Sequence, residues 1–373
     1  MNGKTGTAAA LALAAGLSFA EPVPRDVPPL MRTFAGNEVK TLDDWQARRA
    51  ELKEKFFAEM FGKRPAGVDR PSVLRFEKAE PDREMMDGKA VRKRVRITSV
   101  GPYGTNAFAV TAFVPVNRKP APAFLLVCNR PPHKNIDPDR KEKSEFWPAE
   151  EIVDRGYAAV AFYNGEVALD GTNGLATGAI ACFTKPGTVR QPDDWGVISA
   201  WAWGASRTMD WLETVPEIDA KKVAVVGHSR GGKTALWTGA TDTRFAMAVS
   251  NGSGCGGAKL NHMKAPGAES IAALTRNFGY WFCLNYLKYA KRDWDLPFDQ
   301  DELLGAVAPR LVAIGSGEAD EWAGPAAEKA AAERARRFWK DPTSVDYHVR
   351  PGGHNLTLID WQAYMDFAAR KGW

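Results

Sequence analysis

The sequence predicts an α/β protein with a mostly parallel central sheet, an antiparallel edge at its N-terminal side and helices on both faces. The later apolar runs are continuous, as in strands buried on both faces: AFLLVC, YAAVAFY, KVAVVG, FAMAVS and RLVAIGS. Helical stretches alternate with these runs around 145–154, 197–212, 233–239 and 326–338, which is the order of a parallel sheet with crossover helices. The earlier segments VRKRVRITSV and NAFAVTAFVPV alternate apolar with polar residues, which is typical of antiparallel strands.

The composition is that of a globular protein with a large core. The chain has 373 residues, of which 45% are hydrophobic and 25% are charged. Its 50 basic and 45 acidic residues give a net charge of +5 without a long basic run, which argues against a nucleic-acid partner and mildly favours an acidic substrate. We expect a monomer.

The N-terminal segment MNGKTGTAAALALAAGLSFA has the pattern of a signal peptide. A basic start at Lys4 precedes an apolar stretch and a small-x-small ending at Ser18 to Ala20. We therefore predict a signal peptide at residues 1–20, a secreted or periplasmic protein, and no membrane contact after cleavage. The alternative is a membrane anchor, but the apolar run is shorter than the ~20 residues that span a bilayer.

The remaining residues, 21–373, are predicted to form one domain with two additions. The first is an N-terminal helical extension at about 41–62, which begins at a capping Thr41 and ends at Gly62. The second is an insertion at about 164–194, which is rich in glycine and threonine. In an α/β fold, such insertions usually lie over the functional site.

The stretch VAVVGHSRGGKTALW contains a candidate nucleophile. Gly227 to Gly231 match G-x-S-x-G between a buried strand and a helix, which is the setting of a sharp turn that exposes the hydroxyl of Ser229. Glycines are needed there because side chains would collide across so tight a turn. The alternative is an ordinary strand-to-helix turn with Ser229 as the helix cap, and the glycine spacing does not fit a phosphate loop.

A serine nucleophile needs a base, and His354 is the candidate. It is one of 5 histidines and lies in RPGGHNLTLIDW, between the strand-like VDYHVR and a final helix. This position keeps the chain order of serine, acid and histidine that the fold requires. The alternative is a solvated loop histidine.

The acid that orients the base is predicted in GEADEW, directly after the strand RLVAIGS. This segment contains Glu318, Asp320 and Glu321. We choose Asp320 because it has the Gly-x-x-Asp spacing at the end of such a strand. The alternative is that all of these residues are surface carboxylates.

Four short motifs give the chain a more particular resemblance. From about Thr41 onward it resembles the bacterial glucuronoyl esterases of carbohydrate esterase family fifteen, through S-R-x-G-K at 229–233, SGCGGA at 253–258, WFC at 281–283 and D-x-W at 320–322. The resemblance implies an α/β-hydrolase fold and a serine esterase that works through an acyl-enzyme without a metal or organic cofactor. It also implies a substrate in glucuronoxylan or lignin-carbohydrate material, namely an ester of 4-O-methyl-glucuronic acid with a lignin alcohol.

The resemblance also implies roles for further residues. Arg230, next to the serine, would stabilise the oxyanion. Lys233, one helical turn later, and Glu269 would bind sugar hydroxyls, and Trp322 would form an aromatic wall for the sugar ring. The alternatives for the last three are surface charges and a core aromatic side chain.

The chain departs from the family at one position. Many members have a catalytic glutamate just before the Ser-Gly run, and Gly252 occupies that place here. The acid is therefore left to the segment that contains Asp320.

The chain has 4 cysteines, whose spacing does not fit a zinc site. Cys255 and Cys283 lie in two of the family-like stretches beside the implied sugar pocket. We therefore predict a disulfide between Cys255 and Cys283.

Two other functions remain open at this point. An acetyl or feruloyl xylan esterase would use the same serine, histidine and acid, but it would not need Lys233 and Glu269. A non-catalytic carbohydrate-binding protein on the same fold is the second alternative.

Overall fold

One mixed sheet of nine strands forms the centre of the protein. The computed structural model describes residues 31–373, so the predicted signal peptide at residues 1–20 lies outside the described residues. The strands are β1 Val73–Met85, β2 Ala90–Gly101, β3 Gly104–Pro115, β4 Ala121–Cys128, β5 Ala158–Tyr163, β6 Ile218–His228, β7 Met247–Asn251, β8 Leu311–Gly317 and β9 Val345–Arg350.

The strand order is β1-β2-β3-β5-β4-β6-β7-β8-β9. Strands β1, β2 and β3 pair antiparallel, and β3 also pairs antiparallel with β5. All pairs from β5 through β4 and β6 to β9 are parallel. The predicted fold class, a mostly parallel sheet with an antiparallel N-terminal edge, is therefore confirmed.

Helices cover both faces of this sheet. The α-helices are α1 Leu42–Phe56, α2 Pro132–Asn135, α3 Ala149–Asp154, α4 Asn164–Val167, α5 Gly178–Phe183, α6 Val197–Leu212, α7 Arg230–Thr241, α8 Ile271–Phe278, α9 Leu284–Leu287, α10 Gln300–Gly305, α11 Pro325–Ala335 and α12 Leu358–Arg370. The 3-10 helices are Thr172–Ala176, Gly279–Trp281, Asp293–Asp295, Arg336–Phe338 and Pro342–Ser344, and Phe57–Phe61 is π-helical.

Strand β4 explains why the apolar runs are continuous. Every residue of β4 is buried, and successive side chains enter opposite layers. Leu125 and Val127 belong to the core layer beneath α1, α6 and α7, whereas Phe124 and Leu126 belong to the layer beneath α3 and α12. Both faces of the strand are therefore covered, and no alternation with polar residues remains.

The N-terminal helical extension packs against the helix that follows the candidate nucleophile. A capping box between Thr41 and Asp44 starts α1, and the helical stretch ends at Gly62, whose φ of +83° is readily adopted by glycine. The Phe61 ring stacks on Trp237 of α7 with ring centroids 4.4 Å apart. The extension therefore supports α7 from the side away from the sheet.

The insertion at 164–194 contains the short helices α4 and α5 and one 3-10 turn, joined by loops. Within residues 31–373, no helix combines the length and apolarity that crossing a bilayer requires.

Candidate active site

Ser229 lies at the sharp turn between β6 and α7. Its backbone has φ +56° and ψ −122°, a conformation that is rare for a residue with a side chain. A Cβ atom on Gly227 would lie 2.0 Å from the carbonyl oxygen of Gly231, and one on Gly231 would lie 3.1 Å from the oxygen of Val127. Glycine is therefore required at 227 and favoured at 231, and the turn holds the serine at the carboxyl end of the sheet.

Asn251 at the end of β7 braces this turn. Its carbonyl oxygen accepts a hydrogen bond from the Ser229 N–H at 2.8 Å. Its side chain donates to the Tyr364 hydroxyl at 2.9 Å and accepts from Nδ1 of His228 at 2.7 Å. Sequence reasoning missed Asn251, because an asparagine at a strand end carries no signal for this role.

His228 is buried beside the candidate base. Burial lowers its pKa well below the ordinary value, and the nearby His354 lowers it further. The two imidazole centroids are 4.4 Å apart. His228 therefore stays neutral near neutral pH and adds no positive charge beside His354.

His354 and Asp320 meet at the carboxyl end of the sheet. Nδ1 of His354 lies 2.6 Å from Oδ2 of Asp320, and the imidazole is 40% exposed while the carboxylate is buried. The other carboxylate oxygen accepts a hydrogen bond from the Ala323 N–H at 3.2 Å. A carboxylate at Nδ1 fixes the tautomer and leaves Nε2 as the atom that can accept a proton.

The rival acids lie elsewhere in the same loop. Glu318 and Glu321 are both exposed. Gly252 adopts φ +49°, and a Cβ atom there would lie 3.3 Å from Oδ2 of Asp320 and 3.5 Å from Nδ1 of His354. The position that holds the acid in many family members thus adjoins the same imidazole.

The guanidinium of Arg230 is held from two sides. It donates to the carbonyl oxygen of Asn129 at 2.9 Å and forms an ion pair with Asp170. Asp170 also accepts hydrogen bonds from the Tyr280 hydroxyl at 3.1 Å and the Trp281 indole at 2.8 Å. The insertion therefore supplies Asp170 to orient Arg230, a role that the sequence analysis did not identify.

Lys233 and Glu269 are two buried residues of opposite charge near the elbow, which is the turn at 227–231 that holds Ser229. Nζ of Lys233 donates to the Ser253 carbonyl oxygen at 2.6 Å and lies 5.6 Å from the Trp281 ring centroid. Burial lowers the pKa of Lys233 and raises the pKa of Glu269, and each charge opposes the shift of the other. Within residues 31–373, Lys233 and Glu269 form no direct ion pair with each other.

Trp322 lies beside Glu269 at the protein surface. Half of its surface is exposed, at 50%. Its carbonyl oxygen accepts from the Glu269 N–H at 2.9 Å, and its side chain lies close enough to the Glu269 carboxylate to lower the pKa of that group. An exposed indole fixed at one edge is suited to stacking against a sugar ring.

A cavity of about 480 Å³ adjoins Glu269. Lys259, His262 and the exposed Trp294 also line it. Ser229 and His354 are not among its lining residues, so this cavity extends away from the turn that holds Ser229.

Glu328 holds the segment of Ser253 and Gly254 in place, a role that the sequence analysis did not identify. Its buried carboxylate accepts from the Ser316 hydroxyl at 2.6 Å, the Gly254 N–H at 2.8 Å and the Ser253 hydroxyl at 3.3 Å. Because Ser253 also binds Lys233, Glu328 helps to position that lysine. In the sequence, a glutamate in an alanine-rich helix has the pattern of a surface residue.

The predicted disulfide between Cys255 and Cys283 is wrong. Both thiols are free and buried; Cys255 donates to the Asn261 side chain at 3.3 Å and Cys283 to the Ala58 carbonyl oxygen at 3.7 Å. The reason is side-chain direction. The Phe282 ring faces the segment of Cys255, because a Cβ atom on Gly256 would lie 3.0 Å from that ring. The side chain of the next residue, Cys283, therefore points the other way, towards the N-terminal extension.

In the range 31–373, no group of three or more His, Cys, Asp or Glu side chains has an arrangement that could hold a metal ion. The groups that converge at the carboxyl end of the sheet are a serine on a strained turn, a histidine with a buried carboxylate, and an arginine. Together with the parallel sheet, they define the class of the protein: a carboxylic ester hydrolase of the α/β-hydrolase fold.

Comparison with known proteins gives the family. A family profile described as glucuronyl esterase, fungi, matches residues 146–341. Carbohydrate esterase MZ0003 from an unknown prokaryotic organism is 33% identical over 382 residues, which cover 89% of this chain and 86% of that protein. A 4-O-methyl-glucuronoyl methylesterase from Thermothelomyces thermophilus is 26% identical, over 88% of this chain and 76% of that protein.

A solved glucuronoyl esterase from Solibacter usitatus superimposes with a TM-score of 0.85 at 33% identity, over 95% of this chain and 100% of that chain. The chain belongs to the glucuronoyl esterase family, carbohydrate esterase family fifteen. The resemblance drawn from the four short motifs is therefore confirmed.

Proposed function

We propose that the protein hydrolyses 4-O-methyl-glucuronoyl esters that join xylan to lignin alcohols, through an acyl-enzyme on Ser229. The family supports the reaction class, and the name of the Thermothelomyces thermophilus relative supports the acyl group. The contact of 2.6 Å between His354 and Asp320 supports the way in which the serine is activated.

The reaction proceeds in two steps. His354 takes the proton of the Ser229 hydroxyl as its oxygen attacks the ester carbon, and then gives this proton to the departing alcohol. Asp320 stabilises the imidazolium, and Arg230 stabilises the oxyanion. A water molecule then attacks the acyl-enzyme with His354 as the base, which releases the uronic acid and restores Ser229.

The observation that carries the sugar assignment is the buried Lys233 and Glu269 beside the elbow. A buried charge without a direct ion partner costs stability, and such groups cluster at ligand-binding and catalytic sites. Lys233 can donate to one sugar hydroxyl and Glu269 can accept from another, while Trp322 covers a face of the ring. An acetyl or feruloyl esterase has no need of this pair, and a non-catalytic carbohydrate-binding protein has no need of the strained serine.

Relative rates on three esters test the proposal. We expect kcat/KM to be higher for benzyl glucuronate than for methyl galacturonate and 4-nitrophenyl acetate. If the acetate is cleaved about tenfold faster than the glucuronate, the sugar assignment is wrong and the acetyl esterase stands. If no ester is cleaved by the folded protein, the non-catalytic alternative stands.

We also propose export of a monomer with removal of residues 1–20. N-terminal sequencing of the protein recovered from its native host should begin at Glu21. An intact Met1 in the native host would contradict the cleavage, and a dimer in solution scattering would contradict the monomer.

A further inference from the structure

Arg130 is a partly buried cation that the proposed mechanism does not use. It follows β4, the strand next to β6, which leads into Ser229. The carbonyl oxygen of its neighbour Asn129 accepts from Arg230 at 2.9 Å. Burial lowers the pKa of Arg130, and the charge of Arg230 lowers it further. Arg130 therefore directly follows the residue that holds the guanidinium of Arg230.

A row of rings fixes the position of the Arg130 guanidinium. Its central carbon lies 4.2 Å from the centroid of the Phe146 ring. Phe146 packs edge-on against His228 at 5.9 Å, and His228 lies 4.4 Å from His354. The guanidinium is thus held near the imidazole side of the elbow, where the departing alcohol takes up its proton.

Arg130 has no acidic partner among residues 31–373, whereas other arginines near the sheet do. Arg230 pairs with Asp170, and the buried Arg140 pairs with Glu150 at 2.7 Å. Stacking on an aromatic ring stabilises a guanidinium only weakly at an exposed site and satisfies none of its hydrogen-bond donors. An unpaired cation that is already positioned is suited to a carboxylate, which binds a guanidinium through two parallel hydrogen bonds.

The position of Arg130 indicates which part of the substrate it faces. The proposed sugar-binding groups Lys233, Glu269 and Trp322 lie on α7 and in the segments after β7 and β8. Arg130 follows β4, which lies on the other side of β6 in the sheet. The sugar would then lie on one side of Ser229, and the alcohol part of the ester would lie on the other side, next to Arg130.

We propose that Arg130 binds a carboxylate carried by the alcohol part of the ester, so that the preferred substrates are uronate esters of acidic aromatic alcohols. The inference rests on the proposed function, because it divides the site into a sugar side and an alcohol side.

Three glucuronate esters of one shape test this inference: benzyl, 4-carbamoylbenzyl and 4-carboxybenzyl. For the wild-type enzyme, we expect kcat/KM to be about five- to tenfold higher for the carboxylate than for the neutral amide, as one partly exposed charge-assisted contact provides. In Arg130→Gln, the ratio of carboxylate to amide should fall to about one. Arg130→Lys should retain part of the preference, since it keeps the charge but loses the paired donors.

Lys134→Gln is the matched control, because it removes one exposed positive charge from the same segment. It should leave the ratio at its wild-type value. A wild-type ratio of one with normal cleavage of the benzyl ester would overturn the inference alone. An equal loss on all three esters in Arg130→Gln would also overturn it, because Arg130 would then act on the oxyanion. Failure of the folded wild-type enzyme to cleave any of the esters would overturn the proposed function and the inference together.

Discussion

Two sets of residues in the candidate site differ in whether the protein supplies their partners. One set is proposed to carry out the reaction, and the other is proposed to bind the sugar. Asp320 already has its partner, His354, at 2.6 Å, and Asn251 holds the Ser229 amide at 2.8 Å. Lys233 and Glu269 are equally buried, yet they make no ion pair with each other within residues 31–373. The protein itself supplies the partners of the groups proposed to react, whereas the two charges proposed to bind the sugar form no ion pair with each other within residues 31–373.

This difference predicts two kinds of mutant. Loss of a reacting group should lower kcat on every ester, because all substrates share the same transition-state chemistry. Loss of a group proposed to bind the sugar should lower kcat/KM for uronate esters alone, because simple esters do not use it.

Asp320→Asn should have the largest effect. We expect kcat to fall by about 10⁴-fold on both benzyl glucuronate and 4-nitrophenyl acetate, because an amide favours the wrong imidazole tautomer and cannot balance its positive charge. Steady-state kinetics on both esters measure this loss, and circular dichroism checks that the variant is folded.

The matched controls are Glu318→Gln and Glu321→Gln, which change exposed carboxylates in the same loop. Each should keep kcat within about threefold of the wild type. A loss as large as that of Asp320→Asn in either control would transfer the role of the acid to that residue.

Lys233→Met and Glu269→Gln should show the selective effect. We expect kcat/KM for benzyl glucuronate to fall by about 10- to 100-fold, since each change removes a buried partner of a sugar hydroxyl. The same parameter for 4-nitrophenyl acetate should stay within about threefold. An equal loss on both esters in folded variants would remove the distinction between the two groups.

Glu269 should also give the uronate preference a dependence on pH. Burial raises its pKa above the ordinary 4.5, so it becomes protonated at a higher pH than an exposed glutamate does. As the pH falls through this raised pKa, Glu269 loses its charge and accepts hydroxyl protons less well. The ratio of kcat/KM for benzyl glucuronate to that for 4-nitrophenyl acetate should therefore fall with pH, and dividing by the acetate rate removes the titration of the shared base.

In Glu269→Gln, this ratio should be lower at all pH values and independent of pH across the same range. A wild-type ratio that stays constant down to about pH 4 would contradict the role of an ionised Glu269.

Reduction of the protein should have the smallest effect of all these treatments. A reducing agent should leave the melting temperature unchanged, because the 4 cysteines are free. Burial raises the pKa of both Cys128 and Cys255 to about 12 and that of Cys283 to about 11, so these thiols should react slowly in the folded protein. Titration with a thiol reagent in denaturant without a reductant should find 4 thiols, and finding 2 would restore a disulfide.

The sequence predicts the parts of the site that local geometry determines. The strained turn at Ser229 is encoded within five residues, since a side chain at Gly227 would collide with the carbonyl of Gly231. The continuous apolar strands likewise predict the sheet. Asp320 is brought to His354 by two strand ends of the same sheet, which is why spacing alone suggested the pair.

The sequence does not predict contacts that depend on how distant segments pack. Asp170 reaches Arg230 from the insertion, and Glu328 reaches the Ser-Gly run from a helix whose composition resembles a surface helix. The disulfide prediction failed for the same reason. Sequence proximity to one site gave no information on the direction of the Cys283 side chain, which points to Ala58.

A double-mutant cycle on benzyl glucuronate tests the central claim most directly, namely that Ser229, His354 and Asp320 act as one unit. The four enzymes are the wild type, Ser229→Ala, Asp320→Asn and the double variant, each shown to be folded. We predict that the double variant is as slow as Ser229→Ala to within about twofold, because Asp320 can act only through an intact nucleophile. Near-normal turnover in Asp320→Asn, or a double variant slower by the product of the two single losses, would contradict the account.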